Sequence, residues 1–188
     1  MYWMFRLYSR YLLLKRTFKH RYWLYRYKEN LSIDASATLS SEMVFRFANS
    51  ESKATLCEKV EILPYSTLNI LRNGHLILHK NVFVNSYCSL NCLEKIEIGE
   101  NTLLGEGVRI YDHNHIYNHE GGSLTTERHL FSSKPVLIGK NCWIGSGVVI
   151  LKGVEIGDNV IIGANTLVYK SISSNSLVKS NQSYTITA

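Results

Sequence analysis

Several features are scarce or missing in this sequence of 188 residues. It has two prolines, Pro64 and Pro135, and no apolar run approaches the roughly eighteen residues that a membrane-spanning helix needs. Its four cysteines show no C-x-x-C spacing, which favours reduced structural thiols over a disulfide or metal framework. The N-terminus lacks a clean apolar core and a small-residue cleavage site, so we predict no signal peptide and a cytoplasmic protein.

Acidic residues are absent from the first 28 positions, which contain eight lysines and arginines. The remainder has 13 basic and 15 acidic residues, so the net charge of +6 belongs to the N-terminal segment rather than to the whole chain. No DNA- or RNA-binding motif accompanies this charge, and we therefore predict no nucleic-acid partner.

The basic segment also predicts one α-helix over residues 3–28. Large apolar and aromatic residues recur there at spacings of three or four and fall within an arc of about 80°: Leu7, Tyr11, Leu14, Phe18, Tyr22 and Tyr25. Basic residues flank this stripe. The stripe could pack on the rest of the chain or on a neighbouring subunit. It could instead lie on an anionic membrane surface, as a peripheral contact at the inner face of the cell membrane.

An aliphatic residue occupies every sixth position over much of the remaining sequence, and a small residue usually follows it. The positions are Ile98, Leu104 and Ile110, then Ile138, Ile144, Ile150, Ile156, Ile162 and Val168. A period of six fits neither a helix nor an ordinary strand, and it is typical of a parallel β-helix whose short strands wind around a triangular prism. Weaker repeats, such as Ile33 and Leu39, predict degenerate first coils.

The register shifts by two residues between Leu90 and Ile98, which we interpret as a bulge at a corner. A larger break follows Ile110, because about 22 residues are extruded before the register resumes at Ile138. Insertions of this kind leave one face of a solenoid and often line its binding site. We predict an N-terminal helix (1–30), a β-helix domain (31–170) with the extruded loop at 111–137, and a C-terminal tail (171–188).

The extruded loop concentrates the side chains that are suited to catalysis. It opens on Asp112, His113 and His115, and His119 follows. One histidine could act as a general base on an acceptor hydroxyl, with Asp112 or another carboxylate orienting an imidazole. The histidines at 113, 115 and 119 could instead bind a metal ion, or all could be surface residues. Local spacing leaves these three interpretations open.

Two motifs decide between them: the run from Ile98-Gly99-Glu100-Asn101 to Asp112-His113-Asn114-His115, and Lys134-Pro135-Val136-Leu137-Ile138-Gly139 continuing to Gly145. With the last repeats up to Val168, they resemble the hexapeptide-repeat acyltransferases, above all the galactoside, maltose and surface-polysaccharide O-acetyltransferases. The resemblance covers about residues 78–175. It implies a left-handed parallel β-helix, a homotrimer, and acetyl-CoA bound between two subunits as co-substrate, with no metal.

The resemblance also implies roles for single residues. His115 corresponds to the catalytic base, with Asp112 and His113 beside it at the mouth of the loop. Asn85 corresponds to an acceptor-binding asparagine, and the backbone N–H near Ser146 to a donor that stabilises the oxyanion. Trp143, Ala164 and Lys170 correspond to residues along the CoA channel. Asn85, Trp143 and Lys170 also have purely structural interpretations, as a polar corner residue, an exposed aromatic and a solvated cation.

Two departures from the family pattern limit the resemblance. Ser171-Ile172-Ser173-Ser174 replaces an Asp-Ile-Pro-Pro segment near the CoA site, and Leu93 replaces an acidic acceptor-binding residue. The second difference argues against a galactoside acceptor.

We predict an acetyl-CoA-dependent O-acetyltransferase that acts on a sugar hydroxyl of a surface polysaccharide or its lipid-linked precursor. The alternatives are a serine or amino-sugar acetyltransferase, a γ-type carbonic anhydrase with zinc held by loop histidines, and a non-catalytic β-helical scaffold.

Overall fold

Short parallel strands stack into three sheets, which form the faces of a triangular prism. A computed structural model of the chain describes residues 2–120 and 123–179, without the side chains of residues 2–5, 8–10, 12, 13, 16, 119 and 120. Sheets A and C have six strands each and sheet B has seven. Successive strands belong to sheets A, B and C in turn, so three strands complete one coil.

Six complete coils follow one another along the chain. The first three consist of β1 (Leu31–Ile33), β2 (Thr38–Leu39), β3 (Val44–Phe47), β4 (Lys53–Leu56), β5 (Glu61–Ile62), β6 (Thr67–Ile70), β7 (His75–Leu78), β8 (Phe83–Val84) and β9 (Ser89–Cys92). Coil 4 contains β10 (Lys95–Ile98), β11 (Leu103–Leu104) and β12 (Arg109–Tyr111). A hairpin of β13 (His113–Glu120) and β14 (Ser123–Ser133) then leaves the prism. Coils 5 and 6 contain β15 (Val136–Ile138), β16 (Trp143–Ile144), β17 (Val149–Ile150), β18 (Glu155–Ile156), β19 (Ile161–Ile162) and β20 (Leu167–Val168).

The residues of the six-residue repeat form the core of the prism. They pair in register from coil to coil, as in the column of sheet A that joins Leu56, Leu78, Ile98, Ile138 and Ile156. Each of these side chains is at most 3% exposed. Burying one such aliphatic side chain stabilises the fold by about 1.5–3 kcal/mol, so every coil adds to a continuous apolar column.

The early coils are longer than the later ones because their strands are longer. Strands of four residues place two side chains inward instead of one, as Phe45 and Phe47 do in β3 and Leu68 and Ile70 do in β6. A longer strand with two inward side chains also explains the two-residue register shift between Leu90 and Ile98. The corner bulge predicted there is wrong, because the added residues extend β9 and Cys92 enters the core fully buried.

Asparagines align at the corner between sheets A and B. In coils 3–6 and in the incomplete turn that follows them, the third residue after the inward residue of sheet A is an asparagine with positive φ: Asn81 (60°), Asn101 (59°), Asn141 (55°), Asn159 (56°) and Asn175 (62°). Asparagine tolerates this left-handed conformation better than other side chains. Their amides hydrogen-bond in sequence at 3.0, 3.1, 3.3 and 3.0 Å. This asparagine ladder fixes the same turn from coil 3 onward.

The N-terminal helix, α1 (Tyr2–Arg26), packs on coil 1 near its C-terminal end. Trp23 is 3% exposed and makes an edge-to-face contact with Phe45 at 5.2 Å, and Tyr27 lies 4.9 Å from Phe47. The stripe of Leu7, Tyr11, Leu14, Phe18, Tyr22 and Tyr25 does not make this contact, since each of its side chains is 49–82% exposed. Docking of the stripe on the chain's own β-helix, one of the expected alternatives, is therefore wrong.

The chain continues beyond coil 6 into an incomplete turn. Ile172 bridges to Ile156, and β21 (Leu177–Val178) pairs with β19. These residues fall in the segment predicted as a C-terminal tail, of which residues 180–188 lie outside the described part. Within the described residues, no helix is long and apolar enough to cross a membrane.

Candidate active site

The extruded hairpin leaves the prism at the corner between sheets C and A, after coil 4. Its strands pair antiparallel from His113 opposite Ser133 to Glu120 opposite Ser123. The register shifts after His115, which lies opposite Phe131, because Ile116 already lies opposite Glu127. Three residues of β14 thus bulge outward next to His115.

Asp112 anchors the base of this hairpin. Its carboxylate is fully buried and accepts hydrogen bonds from the backbone N–H groups of Leu93, Glu94 and Lys95 at 2.7–2.9 Å. Its backbone carbonyl accepts one from the N–H of Lys134 at 2.9 Å, where the hairpin returns to the prism. Asp112 also lies 2.8 Å from Nδ1 of His113, so the imidazole that it orients is that of His113 rather than that of His115.

The two predicted histidines share one aromatic neighbour, Phe131. His113 meets the ring edge-on at 5.2 Å and is nearly buried, with 11% of its side chain exposed. His115 stacks on the same ring at 4.5 Å and 40°, and it is exposed to solvent. Within the described residues its imidazole has no hydrogen-bond partner. The arrangement leaves the His115 nitrogens accessible to a substrate while the ring is held by stacking.

Arg72, which sequence reasoning missed, holds the hairpin from the side. It lies after β6 with a φ of 45°, and its Nη2 donates to the carbonyl oxygen of His129 in the bulge at 2.8 Å. Its guanidinium also lies 5.5 Å from the centre of the Phe131 ring. Neither Arg72 nor Phe131 belongs to a local sequence motif, and they meet only because the coils bring distant parts of the chain together, as in the hydrogen bond from Arg72 to His129, 57 residues away.

A second group of predicted residues lies at the corner between sheets B and C. Ser146 and Ala164 follow paired strands β16 and β19 by the same number of residues, so they occupy equivalent places in neighbouring coils. A Cβ on Gly105 would lie 2.6 Å from the Ser146 nitrogen, and one on Gly145 would lie 2.6 Å from the Ala164 nitrogen. Glycines are therefore required for this close approach. Among the described residues, the Ser146 and Ala164 backbone N–H groups have no intramolecular backbone acceptor, which leaves them available to a ligand.

The other predicted residues are distributed around these two corners. Asn85 lies at the sheet B–C corner, two coils before Ser146, and its side-chain oxygen accepts a hydrogen bond from the Ser86 N–H at 2.7 Å. Trp143 lies on the outer face of sheet B and is 56% exposed. Lys170 is exposed at the sheet C–A corner, 5.7 Å from the Tyr169 ring. One chain thus places His115 at one corner and Asn85, Ser146 and Ala164 at another.

The cysteines do not form part of either group. Burial raises the pKa of the Cys88 thiol to about 11, and it also raises the pKa of the Cys92 and Cys142 thiols. These groups therefore stay protonated at neutral pH and are poor nucleophiles. Within the described residues, no three His, Cys, Asp or Glu side chains are grouped to hold a metal ion. The side chain of His119, one of the possible ligands, lies outside the described part.

An open cleft of about 790 Å³ runs along the outer face of sheet A. Its walls include His79, Glu97, Lys140, Glu155 and Asp158, and none of the predicted site residues lines it. Glu97 pairs there with Lys95 and His79, whose contacts lower the pKa of its carboxyl group. The histidine of this cleft, His79, is paired with Glu97, whereas the hairpin corner has an exposed histidine without a hydrogen bond among the described residues, so the hairpin corner remains the better candidate for chemistry.

The prism and its single hairpin define a parallel β-helix protein with candidate catalytic groups outside the coil. Residues 135–170 match the family described as bacterial transferase hexapeptide (six repeats). A Dictyostelium discoideum protein that has the name of an acetyltransferase is 34% identical over 157 residues, covering 77% of this chain and 78% of its own length. The match with the Dictyostelium protein extends over more than two thirds of that protein at 34% identity. The chain therefore belongs to the hexapeptide-repeat transferase family.

The Escherichia coli (strain K12) protein WbbJ, which has the name of a lipopolysaccharide biosynthesis O-acetyl transferase, is 33% identical over 116 residues. The match covers 59% of each chain. Family membership confirms the predicted family.

Solved structures share the fold. The Bacillus cereus N-acyltransferase AntD, in complex with dTDP-4-amino-4,6-dideoxyglucose and coenzyme A, superposes with a TM-score of 0.69 at 19% identity over 82% of each chain. A maltose O-acetyltransferase from Clostridium difficile 630 gives a TM-score of 0.52 at 26% identity, covering 82% of this chain and 68% of that one. A coil of opposite hand would not superpose in this way, and the predicted left-handed parallel β-helix is confirmed.

Proposed function

We propose that this protein transfers an acetyl group from acetyl-CoA to a hydroxyl group of a sugar, with His115 as the general base. The observation that supports the proposal best is the exposed His115 imidazole, stacked on Phe131 at the base of the one hairpin that interrupts a transferase β-helix. Histidine is the side chain that most often serves as a general base in enzymes.

The reaction needs one proton relay and no covalent enzyme intermediate. A neutral imidazole nitrogen of His115 takes the proton of the acceptor O–H while the oxygen attacks the thioester carbonyl carbon. The tetrahedral intermediate then collapses, its C–S bond breaks, and the CoA sulfur leaves with the proton from the imidazolium. General-base catalysis of this kind contributes about 10²–10⁴-fold. His113, held by Asp112, fixes the hairpin and the position of the neighbouring residues.

The available backbone N–H groups at the sheet B–C corner suit the donor substrate. The Ser146 N–H can stabilise the oxyanion of the tetrahedral intermediate, and the Ala164 N–H one coil away can bind the amide-rich pantetheine arm. The exposed ring of Trp143 can line the same channel. Lys170 at the next corner can pair with a CoA phosphate, because a lysine ammonium binds phosphate as a point charge.

The separation of the two groups by one face of the prism supports a homotrimer. In a single chain, the hairpin corner and the Ser146 corner lie at opposite edges of sheet C. The outer face of sheet B meanwhile presents an apolar column in register, formed by Phe83, Leu103, Trp143, Ile161 and Leu177. The last four are 39–60% exposed in one chain. Packing this column against a neighbour would bring the hairpin of one subunit to the Ser146 corner of the next.

The acceptor is proposed to be a sugar of a surface polysaccharide or its lipid-linked precursor. WbbJ has a name from lipopolysaccharide biosynthesis, and the Clostridium difficile neighbour is a maltose O-acetyltransferase. Leu93 supports an acceptor other than a galactoside. It is 7% exposed and its N–H donates to Asp112, so it offers no polar group to a sugar hydroxyl.

Substitution of His115, the proposed general base, tests the proposed function. Release of the CoA thiol from acetyl-CoA is measured against a panel of sugars and nucleotide sugars, and the acceptor found is then used with His115→Ala. We expect kcat to fall by about 10²–10⁴-fold, with CoA binding by calorimetry and the mass of the assembly unchanged.

The matched control is His75→Ala, which removes an exposed histidine on the outer face of sheet A. It should keep the full rate. Turnover by His115→Ala near that of the unmodified protein would remove His115 from the proposed role. A chain that neither binds CoA nor releases its thiol with any sugar would contradict the function itself.

A further inference from the structure

The apolar stripe of α1 remains exposed although the helix is docked. Phe18 and Tyr25 are 76% and 82% exposed, and Leu14 is 70% exposed. A contiguous apolar surface of this size is unusual on a surface that faces only water, and it marks a site of interaction. Four of the six stripe residues are aromatic, and three of those are tyrosines. Tyrosine favours positions where one end of the ring is apolar and the other is hydrated.

The contacts of the helix with coil 1 hold the stripe away from the prism. Trp23, which contacts Phe45, lies about 140° around the helix from Phe18 at about 100° per residue. Nearer the N-terminus, the Lys15 ammonium pairs with the Glu42 carboxylate at 2.8 Å. Turning the stripe toward the prism would break both contacts. The stripe is therefore presented outward by the fold.

Positive charge borders the stripe on both sides. Arg26 lies about 80° from its centre on one flank, and Arg21 lies about 60° from it on the other. Lys19, on the same flank as Arg26, lies over the buried Trp23 ring at 5.4 Å on the docked side of the helix. Arg21 and Arg26 are exposed. The helix contains no acidic residue to neutralise these groups. The geometry matches that of a helix lying in a lipid interface, with its apolar side in the acyl boundary and its cations at the phosphates.

We infer that the outer side of α1 binds the surface of an anionic lipid bilayer and holds the enzyme there. A second copy of this chain is a poorer occupant, since it would bring another helix with the same excess of positive charge. The chain outside residues 1–28 has 13 basic and 15 acidic residues, and it offers no strong negative counterpart. Phosphatidylglycerol or phosphatidylserine headgroups provide the missing charge. This inference does not depend on the proposed catalytic role of His115.

Flotation of the full chain with vesicles tests the inference. The unmodified protein should float with vesicles of 30% phosphatidylglycerol in phosphatidylcholine far more than with phosphatidylcholine alone. Raising the salt from low to high should weaken binding, because the Debye length falls to about 3 Å at 1 M. Leu14→Ser with Phe18→Ser should weaken binding more than ten-fold. Arg21→Gln with Arg26→Gln should weaken it about thirty-fold, since each cation near such a surface contributes about 1 kcal/mol, or about five-fold.

Leu167→Ser is the matched control, because Leu167 is 55% exposed on sheet C in coil 6, away from α1 and outside the apolar column of sheet B. It should bind the vesicles as the unmodified protein does. Circular dichroism and light scattering on every variant verify the fold and the mass of the assembly. Absence of vesicle binding by the unmodified chain would overturn the inference. So would vesicle binding that survives both double substitutions, or a stripe variant that changes only the mass of the assembly, which would identify the stripe as a subunit contact.

Discussion

At the scale of residues, Asp112 and His115 have different tasks although they are separated by two positions. Asp112 has no contact with water and accepts three backbone N–H groups and the His113 ring. Hydrogen bonds to a charged group stabilise a protein by about 1.5–3 kcal/mol each, so this carboxylate fixes where the hairpin begins. His115 stacks on the Phe131 ring, and its nitrogens make no hydrogen bond among the described residues. The buried carboxylate therefore stabilises the base of the hairpin, and the exposed imidazole suits the role of general base proposed for it.

Arg72 is expected to affect catalysis through the position of Phe131 and His115. Arg72→Gln removes the hydrogen bond to the His129 carbonyl and the cation above the Phe131 ring. We expect kcat to fall about ten-fold, because small displacements of reacting groups have large effects on rate. The KM of the acceptor should change little. Thermal stability should shift by less than about 0.5 kcal/mol, as for most exposed side chains.

Arg72→Lys distinguishes positioning from simple loss of structure. It keeps a cation near the ring but not the planar, bidentate guanidinium, so part of the rate should return. An Arg72→Gln protein with unchanged kcat, or one that loses several kcal/mol of stability, would contradict the role.

At the scale of elements, α1 is attached to the prism by a few contacts, one of which depends on pH. Hydrogen bonds from Lys15, Ser40 and Ser41 hold the pKa of the Glu42 carboxyl group at about 2, below its ordinary value of 4.5. A carboxyl whose pKa is lowered by folding stabilises the folded state above its unfolded pKa. The contribution is therefore complete above about pH 4.5 and is lost as the pH falls toward 2.

Glu42→Gln should reproduce that loss at neutral pH. We expect stability to fall by about 1 kcal/mol or less, since Lys15 is partly exposed and the pair is screened by water. The difference between the variant and the unmodified protein should shrink as the pH is lowered from 5 to 3. Thermal unfolding followed by circular dichroism across this range measures it.

The control is Glu58→Gln, which removes a more exposed pair with Lys80. It should change stability less than Glu42→Gln at pH 7. If the stability difference between Glu42→Gln and the unmodified protein grew as the pH fell, the pH dependence assigned to the Glu42 carboxyl group would be contradicted.

The coils could be predicted from the sequence wherever the six-residue period is regular, from Ile98 onward. The six-residue period identifies the inward residues directly, because the same number of residues separates the core side chains at every corner. It fails in coils 1–3, where strands such as β3 and β6 contain an additional inward residue and the spacing between core residues changes. His115 could be found from the family pattern. Arg72 and Phe131 could not, because their contact depends on how coils stack and on a bulge in β14 that leaves no periodic signal.

At the scale of the whole molecule, the proposed trimer explains why the proposed base, His115, is exposed in a single chain. The apolar column on sheet B is a continuous surface, because parallel pairing places the outward residues of successive coils directly above one another. The site would form only where this column meets a neighbour. Assembly and catalysis should therefore fail together.

Charges in that column should separate the subunits. Leu103→Asp with Ile161→Asp places carboxylates on the two side chains that flank Trp143 in the column. Both point away from the core, so each chain should still fold, as judged by circular dichroism. Light scattering should show monomers, and acetyl transfer should fall at least a hundred-fold.

Glu155→Lys is the matched control, as it changes a charge on the exposed outer face of sheet A. It should leave assembly and rate unchanged. Monomers of the double variant that retain full activity would show that the site is complete in one chain.

The stacking of the coils has a consequence for the two surfaces proposed here. Since the strands of neighbouring coils pair in parallel, the prism can lengthen or shorten only by whole steps of about 4.8 Å. The helix rests on coil 1, and the hairpin departs from coil 4, three such steps or about 14 Å along the axis. The number of coils therefore determines the distance between α1 and His115. This distance would set how far above a lipid surface His115 meets a sugar, and it can change only by the insertion or loss of a whole coil.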